Sequence, residues 1–259
     1  MQALYGRNGE APMPVLAASS PADAFETAME AARIAIEYMT PVILLSDGYI
    51  ANGAEPWKFP KASSLPHFKA PAPADEHTEY LPYRRNEKLV REWAHPGTPG
   101  KEHRIGGLEK EELTGNVSYH PENHEKMVKL RAQKIANVSQ SYPALKLQQG
   151  PGQGEVLVVG WGSTKGAITV AVRDALMQGL RVSQLHLRHL FPFSDDLAGI
   201  LKNFDQILVP ELNNGQLVKL LRQEYPGKIE AMNKIQGQPF RAQDIKEEIS
   251  KLTAKVKEA

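Results

Sequence analysis

The sequence predicts an α/β protein, and three observations lead to that prediction. Short apolar runs suited to buried parallel strands recur along the chain, such as PVILLS at 41–46 and EVLVVGW at 155–161. Segments with apolar residues at spacings of three and four lie between these runs, as in helices that cross over a sheet. A long proline-rich stretch then separates two α/β portions, so the 259 residues predict one large or two ordinary domains.

The first portion, residues 1–54, opens on a loop and contains one βαβ-like unit. MPVLAAS predicts a strand, and Ser20 followed by Pro21 predicts the start of a helix, because serine caps helices and proline suits the first turn. We expect this helix to end before Pro41, whose ring disfavours α geometry in the preceding residue. PVILLS is the next strand, and it brings Asp47 to the carboxyl edge of the sheet, where α/β folds place ligands.

Residues 55–153 are predicted to form an irregular arm and then a helix with Pro121 near its first turn. The arm has no sustained apolar periodicity, and eight prolines lie between Pro56 and Pro99. Loops this long in compact chains are usually functional or are linkers. The arm also carries aromatic residues that predict ordering against a surface of this chain or of a partner: Trp57, Phe59, Phe68, Tyr80, Tyr83 and Trp93.

The second portion, residues 154–259, predicts a three-layer α/β domain. Its apolar runs alternate with amphipathic segments, which implies crossover connections and a mainly parallel sheet. The predicted strands are at 155–161, 181–187, 205–212 and 228–235, and the predicted helices are at 163–178, 194–203, 215–224 and from about 243.

The glycine-rich turn GWGSTKG, residues 160–166, has the strand-to-helix layout of phosphate-binding loops. It is not a Walker loop, because the order Gly-Lys-Ser/Thr is missing. A dinucleotide fingerprint is closer, but the next strand ends near His186 and not in the acidic residue that binds the ribose. Two interpretations stay open: a structural turn with Ser163 or Thr164 as helix cap, or a phosphate held at the helix N-terminus by Gly162, Ser163 and Thr164.

The histidines also have two interpretations each. His120 and His124 are four apart, which suits a two-histidine metal face, but no third ligand is close in sequence, so a solvated helix face is favoured and no metal site is predicted. His186 and His189 flank Arg188 at a strand end, where they would bind an anion or serve only the structure of the sheet edge.

Asp47 and Arg104 complete the candidate ligand contacts. Asp47 is either a site carboxylate or the start of an Asp-Gly turn. Arg104 lies beside two glycines in HRIGGLE, which either approach a ligand through their backbone or form a tight turn.

Composition excludes several classes of function. The 31 Lys and Arg nearly balance the 30 Asp and Glu, so the sequence predicts neither a nucleic-acid partner nor an anionic membrane. The absence of cysteine excludes a thiolate zinc site or an iron–sulfur cluster ligated by this chain. No apolar stretch approaches about 20 residues and no signal peptide is evident, so a soluble cytoplasmic protein is expected.

Six segments together resemble one known family along essentially the whole chain and in a single order. They are YGRNGEAPMPVLAASSPADAF, TPVILLSDGYIANGAEPW, HRIGGLEKEELTGNVSYHPENHEKM, GWGSTKGAI, HLRHLFPF and PELNNGQLVKLLR. The chain is similar to the α subunit of 2-oxoacid:ferredoxin oxidoreductases, specifically the 2-oxoglutarate branch.

The resemblance implies a division of labour between subunits. In that family the α subunit carries a thiamine-pyrimidine-binding domain and a domain resembling the transketolase C-terminal domain. The β subunit carries the diphosphate site, Mg²⁺ and an iron–sulfur cluster. The complex oxidatively decarboxylates a 2-oxoacid onto coenzyme A and reduces ferredoxin. Residues 1–54 would correspond to the last part of the pyrimidine domain, and residues 154–259 to the transketolase-C-like domain.

The family's catalytic motifs lie upstream of the segments that match here, so the resemblance assigns no catalytic residue to this chain. We therefore expect thiamine diphosphate, Mg²⁺ and the cluster to be bound only in the full complex, none of them wholly by this chain, which alone should be inactive. The expected partners are the β subunit and, through the complex, ferredoxin. The alternative is a stand-alone α/β module that binds a phosphate-bearing ligand at the Gly160–Gly166 turn.

Overall fold

The computed structural model describes residues 1–68 and 79–258. It has the predicted α/β fold, with parallel strand pairing in the larger of its two sheets. By contacts the chain divides into two compact units: the first comprises Met1–Val15, Ala28–Ile43 and Lys58–Ser141, and the second comprises Leu16–Thr27, Leu44–Trp57 and Tyr142–Ala259. Among the described residues, no helix combines the length and apolar character needed to span a bilayer.

The first 141 residues contain two strands and four α-helices in their described part. In chain order these are α1 (Gln2–Tyr5), β1 (Val15–Ala17), α2 (Pro21–Glu37), β2 (Ile43–Leu45), α3 (Gly48–Asn52) and α4 (Pro121–Ala136). The sequence predicted β1, α2, β2 and α4 but not α1 or α3. Helix α2 begins as predicted, because the Ser20 hydroxyl accepts a hydrogen bond from the Asp23 amide at 3.2 Å.

The described residues after 141 contain five strands and four α-helices. In chain order they are β3 (Gly154–Trp161), α5 (Lys165–Met177), β4 (Val182–Leu187), β5 (His189–Phe191), α6 (Leu197–Leu201), β6 (Phe204–Glu211), α7 (Gln216–Glu224), β7 (Ile229–Asn233) and α8 (Ala242–Glu258). Strand β5 was not predicted, and α6 is shorter than the predicted helix at 194–203.

The four-stranded sheet has the order β4-β3-β6-β7 and its strands pair in parallel. The order changes direction after β4, so right-handed crossovers place α5 and α7 on opposite faces of the sheet and give the predicted three layers. Helix α8 packs on the face that carries α5. The core between them is formed by Val156, Val158, Ile168, Ala171, Val172, Ala175, Val182, Leu208, Phe240, Ile245, Ile249 and Leu252.

A second sheet has the order β2-β1-β5. The Ala17 amide of β1 donates to the Arg188 carbonyl oxygen at 2.8 Å, and the Ala18 amide donates to the Leu45 carbonyl oxygen at 3.1 Å. Strand β5 therefore follows β4 in the chain but pairs with β1. The domain boundaries at 54 and 154 stay predictions.

The described part of the predicted arm is irregular, as expected, but its aromatic residues differ in burial. The Trp57 ring packs on Phe25 with ring centroids 5.2 Å apart, and Trp93 Nε1 donates to a backbone carbonyl of α2 at 3.0 Å. Phe59 is 82% exposed. The part of the arm at 69–78 lies outside the described residues.

Candidate functional site

The second unit brings polar residues together at the carboxyl ends of several strands, and we call this group the polar junction. Strand β1 leads into Ser19, β2 leads into Asp47, and β3 leads into the glycine turn. The carboxyl edge of a sheet is where α/β folds usually bind ligands. The polar junction consists of Ser19, Asp23, Asp47, Ser163, Lys165, His186 and Arg188.

Asp47 connects two helix starts. Its Oδ1 accepts a hydrogen bond from the Ile50 amide at 2.9 Å, so it caps α3. Its Oδ2 accepts a hydrogen bond from the Ser163 amide at 3.2 Å, in the short 3₁₀ turn that leads into α5. A carboxylate is stabilised at a helix start by unpaired amides and by the helix dipole. Asp47 therefore lies at the predicted turn, and it also accepts a hydrogen bond from the glycine turn.

The glycine turn keeps its shape through its own backbone and Thr164. Gly162 has a φ of 58°, in the left-handed region that favours glycine. The Thr164 hydroxyl donates to the Trp161 carbonyl oxygen at 2.7 Å and accepts from the Trp161 amide at 3.2 Å. Thr164 is the N-cap residue of α5, as one of the two predicted candidates, but its side chain forms no capping hydrogen bond, and the Ser163 amide donates to Asp47.

The other half of the polar junction is an ion-pair network. Asp23 Oδ2 accepts hydrogen bonds from the amide and the hydroxyl of Ser19, both at 2.8 Å, and Asp23 Oδ1 pairs with Arg188. Lys165 Nζ donates to the Ser19 hydroxyl at 3.2 Å. Burial would raise the pKa of Asp23, but the charge of Arg188 and the hydrogen bonds from Ser19 outweigh burial and hold that pKa below its ordinary value.

His186 is the enclosed neutral member of the polar junction. Both its ring nitrogens, and the hydroxyl oxygen of Ser163, are shielded from solvent and have no hydrogen-bond partner among the described residues. Burial, followed by the charge of Lys165, lowers the pKa of His186 to about 3. The ring is therefore uncharged near neutral pH, so it supplies no positive charge for an anion.

One amide that a phosphate at the glycine turn would use already has an acceptor. A phosphate needs the free amides of the helix start, but the Ser163 amide already donates to Asp47. The negative charge of Asp47 would also repel the phosphate. The structural interpretation of the turn is therefore favoured.

The structure gathers four of the five candidate contacts and leaves one elsewhere. Asp47, Gly162, Ser163 and Thr164 lie together in the second unit. Arg104 belongs to the first unit, is exposed, and contacts no charged partner among the described residues. Its ligand contact stays a prediction.

Two other histidines have partners of their own. His124 on α4 has its Nδ1 2.7 Å from Oε2 of Glu109, a residue of the arm, and the His189 ring stacks on Tyr142 with centroids 3.7 Å apart. Among residues 1–68 and 79–258, no group of three His, Asp or Glu is placed to hold a metal ion.

Glu211 is a buried carboxylate that sequence reasoning missed. It ends β6, is fully buried, and accepts hydrogen bonds from the amides of Leu217 at 2.8 Å and Val218 at 3.1 Å at the start of α7. Trp161 Nε1 donates to it as well, at 3.2 Å. The signal was an acidic residue between a buried strand and the NNG turn that opens a helix.

Two family models match the chain. Residues 1–122 match the model described as pyruvate flavodoxin/ferredoxin oxidoreductase, thiamine diP-bdg. Residues 154–245 match the model of pyruvate:ferredoxin oxidoreductase core domain II.

Individual relatives agree with these models. A 2-oxoglutarate oxidoreductase subunit KorA of Mycobacterium tuberculosis is 48% identical over 95% of this chain and 37% of the relative. A 2-oxoglutarate synthase subunit KorA of Methanothermobacter marburgensis is 26% identical over 95% of this chain and 65% of the relative. The solved 2-oxoglutarate:ferredoxin oxidoreductase from Magnetococcus marinus, with 2-oxoglutarate, coenzyme A and succinyl-CoA bound, has a TM-score of 0.89 at 28% identity and covers 97% of this chain and 44% of that chain.

Residues 1–122 and 154–245 therefore carry segments of the pyruvate:ferredoxin oxidoreductase class. Within that class, the chain is similar to KorA subunits of 2-oxoglutarate oxidoreductases and synthases. It spans only 37% of the length of its 48% identical relative.

Proposed function

We propose that this chain supplies part of the α subunit of an enzyme that oxidises 2-oxoglutarate with ferredoxin. The reaction releases CO₂, joins the succinyl group to the sulfur of coenzyme A, and passes two electrons to ferredoxin. The observation that carries the proposal is the 48% identity to a 2-oxoglutarate oxidoreductase subunit over 95% of this chain. The predicted β-subunit partner and the cytoplasmic location belong to the same proposal.

The cofactors of the proposed reaction need groups beyond those of this chain. The sequence contains no cysteine to ligate an iron–sulfur cluster, and the described residues offer no three-ligand group for Mg²⁺. Thiamine diphosphate, when bound in the complex, supplies the carbanion chemistry of decarboxylation. Because Asp47 fills the helix start at the glycine turn, this turn does not fit the diphosphate of that cofactor.

We infer a structural role for the polar junction within the proposed subunit. Asp47 joins the end of β2 to the start of α5, and Asp23 joins the start of α2 to Arg188 beside β5. These contacts tie together segments that are far apart in the chain. The site candidates Asp47, Gly162, Ser163 and Thr164 therefore shape this junction in the proposal, and do not contact the substrate.

The test is reconstitution of 2-oxoglutarate-dependent viologen reduction in the presence of coenzyme A. The chain is assayed alone, with the remaining α-subunit sequence of a family member, with a cysteine-bearing β subunit, and with both. We expect turnover only with both additions. Turnover by the chain alone, or without a cluster-bearing partner, would contradict the proposal.

The alternative, a stand-alone phosphate-binding module, is tested by isothermal titration of the chain with ADP, NAD and coenzyme A. We expect the Gly162→Val variant to leave any measured affinity unchanged, because the turn is already occupied by Asp47. Micromolar binding that Gly162→Val abolishes would favour the module.

A further inference from the structure

A hairpin of the first unit, residues 85–91, places two arginines opposite each other. Arg85 and Arg91 form an antiparallel bridge. Asn86 closes the turn, because its amide donates to the Val90 carbonyl oxygen at 2.9 Å and its Oδ1 accepts from the Val90 amide at 3.0 Å. Like charges directly opposite each other destabilise a strand pair. The hairpin therefore holds Arg85 and Arg91 opposite each other although their positive charges repel.

Helix α4 adds a third cation to this pair. Lys134 Nζ donates to the Met39 carbonyl oxygen at 3.1 Å, and Arg91 Nη2 lies 3.1 Å from Met39 Sδ. The Tyr83 ring faces both arginines, with its centroid 4.4 Å from the Arg91 guanidinium carbon and 5.8 Å from that of Arg85. We call Arg85, Arg91 and Lys134 the cation cluster.

The described neighbours of the cation cluster do not neutralise it by ion pairing. Arg85 donates to the Glu112 backbone carbonyl at 2.8 Å and contacts Met127 Sδ at 3.3 Å. Within the described part of the chain, none of the three cations forms a salt bridge. All three are partly buried, a setting in which charges normally have a partner of opposite sign.

The cations also affect one another electrostatically. Burial, and then the charges of Arg91 and Arg85, lower the pKa of Lys134 to about 8. Burial likewise lowers the pKa of Arg85, although the charge of Glu112 opposes that effect. An anion placed among the three cations would relieve their repulsion.

Backbone strain is concentrated beside the same cluster. Met39, with φ 44°, and Leu89, with φ 62°, are the non-glycine residues with positive φ in the described chain. Met39 contacts both Arg91 and Lys134, and Leu89 lies in the hairpin turn between the two arginines. Strained residues of this kind are often kept where a binding site needs them.

We propose that Arg85, Arg91 and Lys134 form a binding site for a phosphate group. Two arginines offer planar pairs of N–H donors and a lysine adds a compact charge, a combination that suits an oxyanion. Each cation uses only some of its N–H donors on the protein. The phosphate comes either from free inorganic phosphate or from a nucleotide.

The test is isothermal titration of the full chain with inorganic phosphate and, separately, with ADP. We expect saturable binding that Arg91→Met and Lys134→Met each weaken by more than about tenfold. Lys88→Met is the matched control, because Lys88 is an exposed cation of the same hairpin, and it should bind like the wild type. Tighter binding of ADP than of phosphate through the same residues assigns the site to a nucleotide, and equal binding assigns it to the free anion.

A second measurement uses only the wild-type chain, so it does not depend on the folding of a variant. Acetylation of Lys134 at pH 8, followed by mass spectrometry, should slow when phosphate is added, while acetylation of Lys88 should not. The proposal is wrong if neither phosphate nor ADP binds at millimolar concentration, if Lys88→Met weakens binding as much as Lys134→Met, or if phosphate leaves Lys134 acetylation unchanged.

Discussion

At the scale of single residues, two carboxylates explain why the carboxyl edge of the larger sheet does not resemble a phosphate site. Asp47 accepts an amide hydrogen bond at the start of α5, and Glu211 accepts two at the start of α7. Helix starts of this kind attract anions through their free amides and dipole. Here the protein supplies the anion itself.

Replacing Asp47 with alanine tests whether its carboxylate stabilises the starts of α3 and α5. The variant leaves the amides of Ile50 and Ser163 without their acceptor, so the free energy of unfolding should fall by about 1–2 kcal/mol. Urea unfolding followed by circular dichroism measures the change. Asp205→Ala is the control, because Asp205 is exposed on β6, and an equal loss in both variants would contradict the capping role.

His186 makes stability depend on pH in a defined direction. Its pKa is about 3 in the folded chain and 6.5 ordinarily, so below pH 6.5 only the unfolded chain takes up the proton. Stability is unaffected by this group above pH 6.5 and falls as the pH decreases toward 3. Between pH 7.5 and 5.5 the expected loss is about 1.4 kcal/mol.

Urea titrations of the wild type and two variants at these two pH values measure the contribution of His186. The His186→Phe variant should lose that part of the pH dependence, because the titrating ring is gone. His95→Gln, which removes an exposed histidine, should keep it. A pH dependence that is the same in all three proteins would show that the pKa of His186 is not lowered in the folded chain.

At the scale of elements, the apolar runs and amphipathic segments predicted most strands and helices, but α1, α3 and β5 were not predicted. Strand β5 has only three residues, and its partner β1 is remote in sequence, so neither length nor periodicity indicates it. Helix α6 begins only at Leu197, because the preceding residues form a turn in which the Leu197 amide donates to the Ser194 carbonyl oxygen at 3.0 Å.

The buried carboxylate of Glu211 should stabilise the start of α7. Glu211→Gln keeps the shape of the side chain but removes its charge and one acceptor, so the buried amides of Leu217 and Val218 compete for a single oxygen. We expect the free energy of unfolding to fall by about 1–3 kcal/mol. Glu224→Gln at the exposed end of α7 should change it little, and hydrogen exchange of the first α7 amides should quicken only in the Glu211 variant.

At the scale of the whole molecule, the sequence predicted the α/β class and the family but only part of the candidate site. Asp47 was recognised as a turn residue or a site carboxylate, since both follow from its place after a strand. Its hydrogen bond to Ser163 was not predictable, because that contact joins residues remote in sequence. The cation cluster was missed for the same reason, since Lys134 reaches it from a different helix.

The larger sheet should fold without the first half of the chain. Strands β3, β4, β6 and β7 and the core with α5 and α8 all lie within residues 154–258. A fragment of residues 150–259 should therefore unfold cooperatively in urea, with β5 exchanging its amide hydrogens faster than in the full chain because β1 is absent. Non-cooperative unfolding of the fragment would show that its core depends on the first half.

The pairing of β1 with β5 also sets an order of events during translation. Strand β1 is the middle strand of its sheet, and the Ala17 amide finds its acceptor at Arg188. A ribosome needs roughly ten to thirty seconds to translate the residues between Ala17 and Arg188. Throughout that interval one edge of an apolar nascent strand has no native partner, so the growing chain is a natural substrate for chaperones that shield such edges.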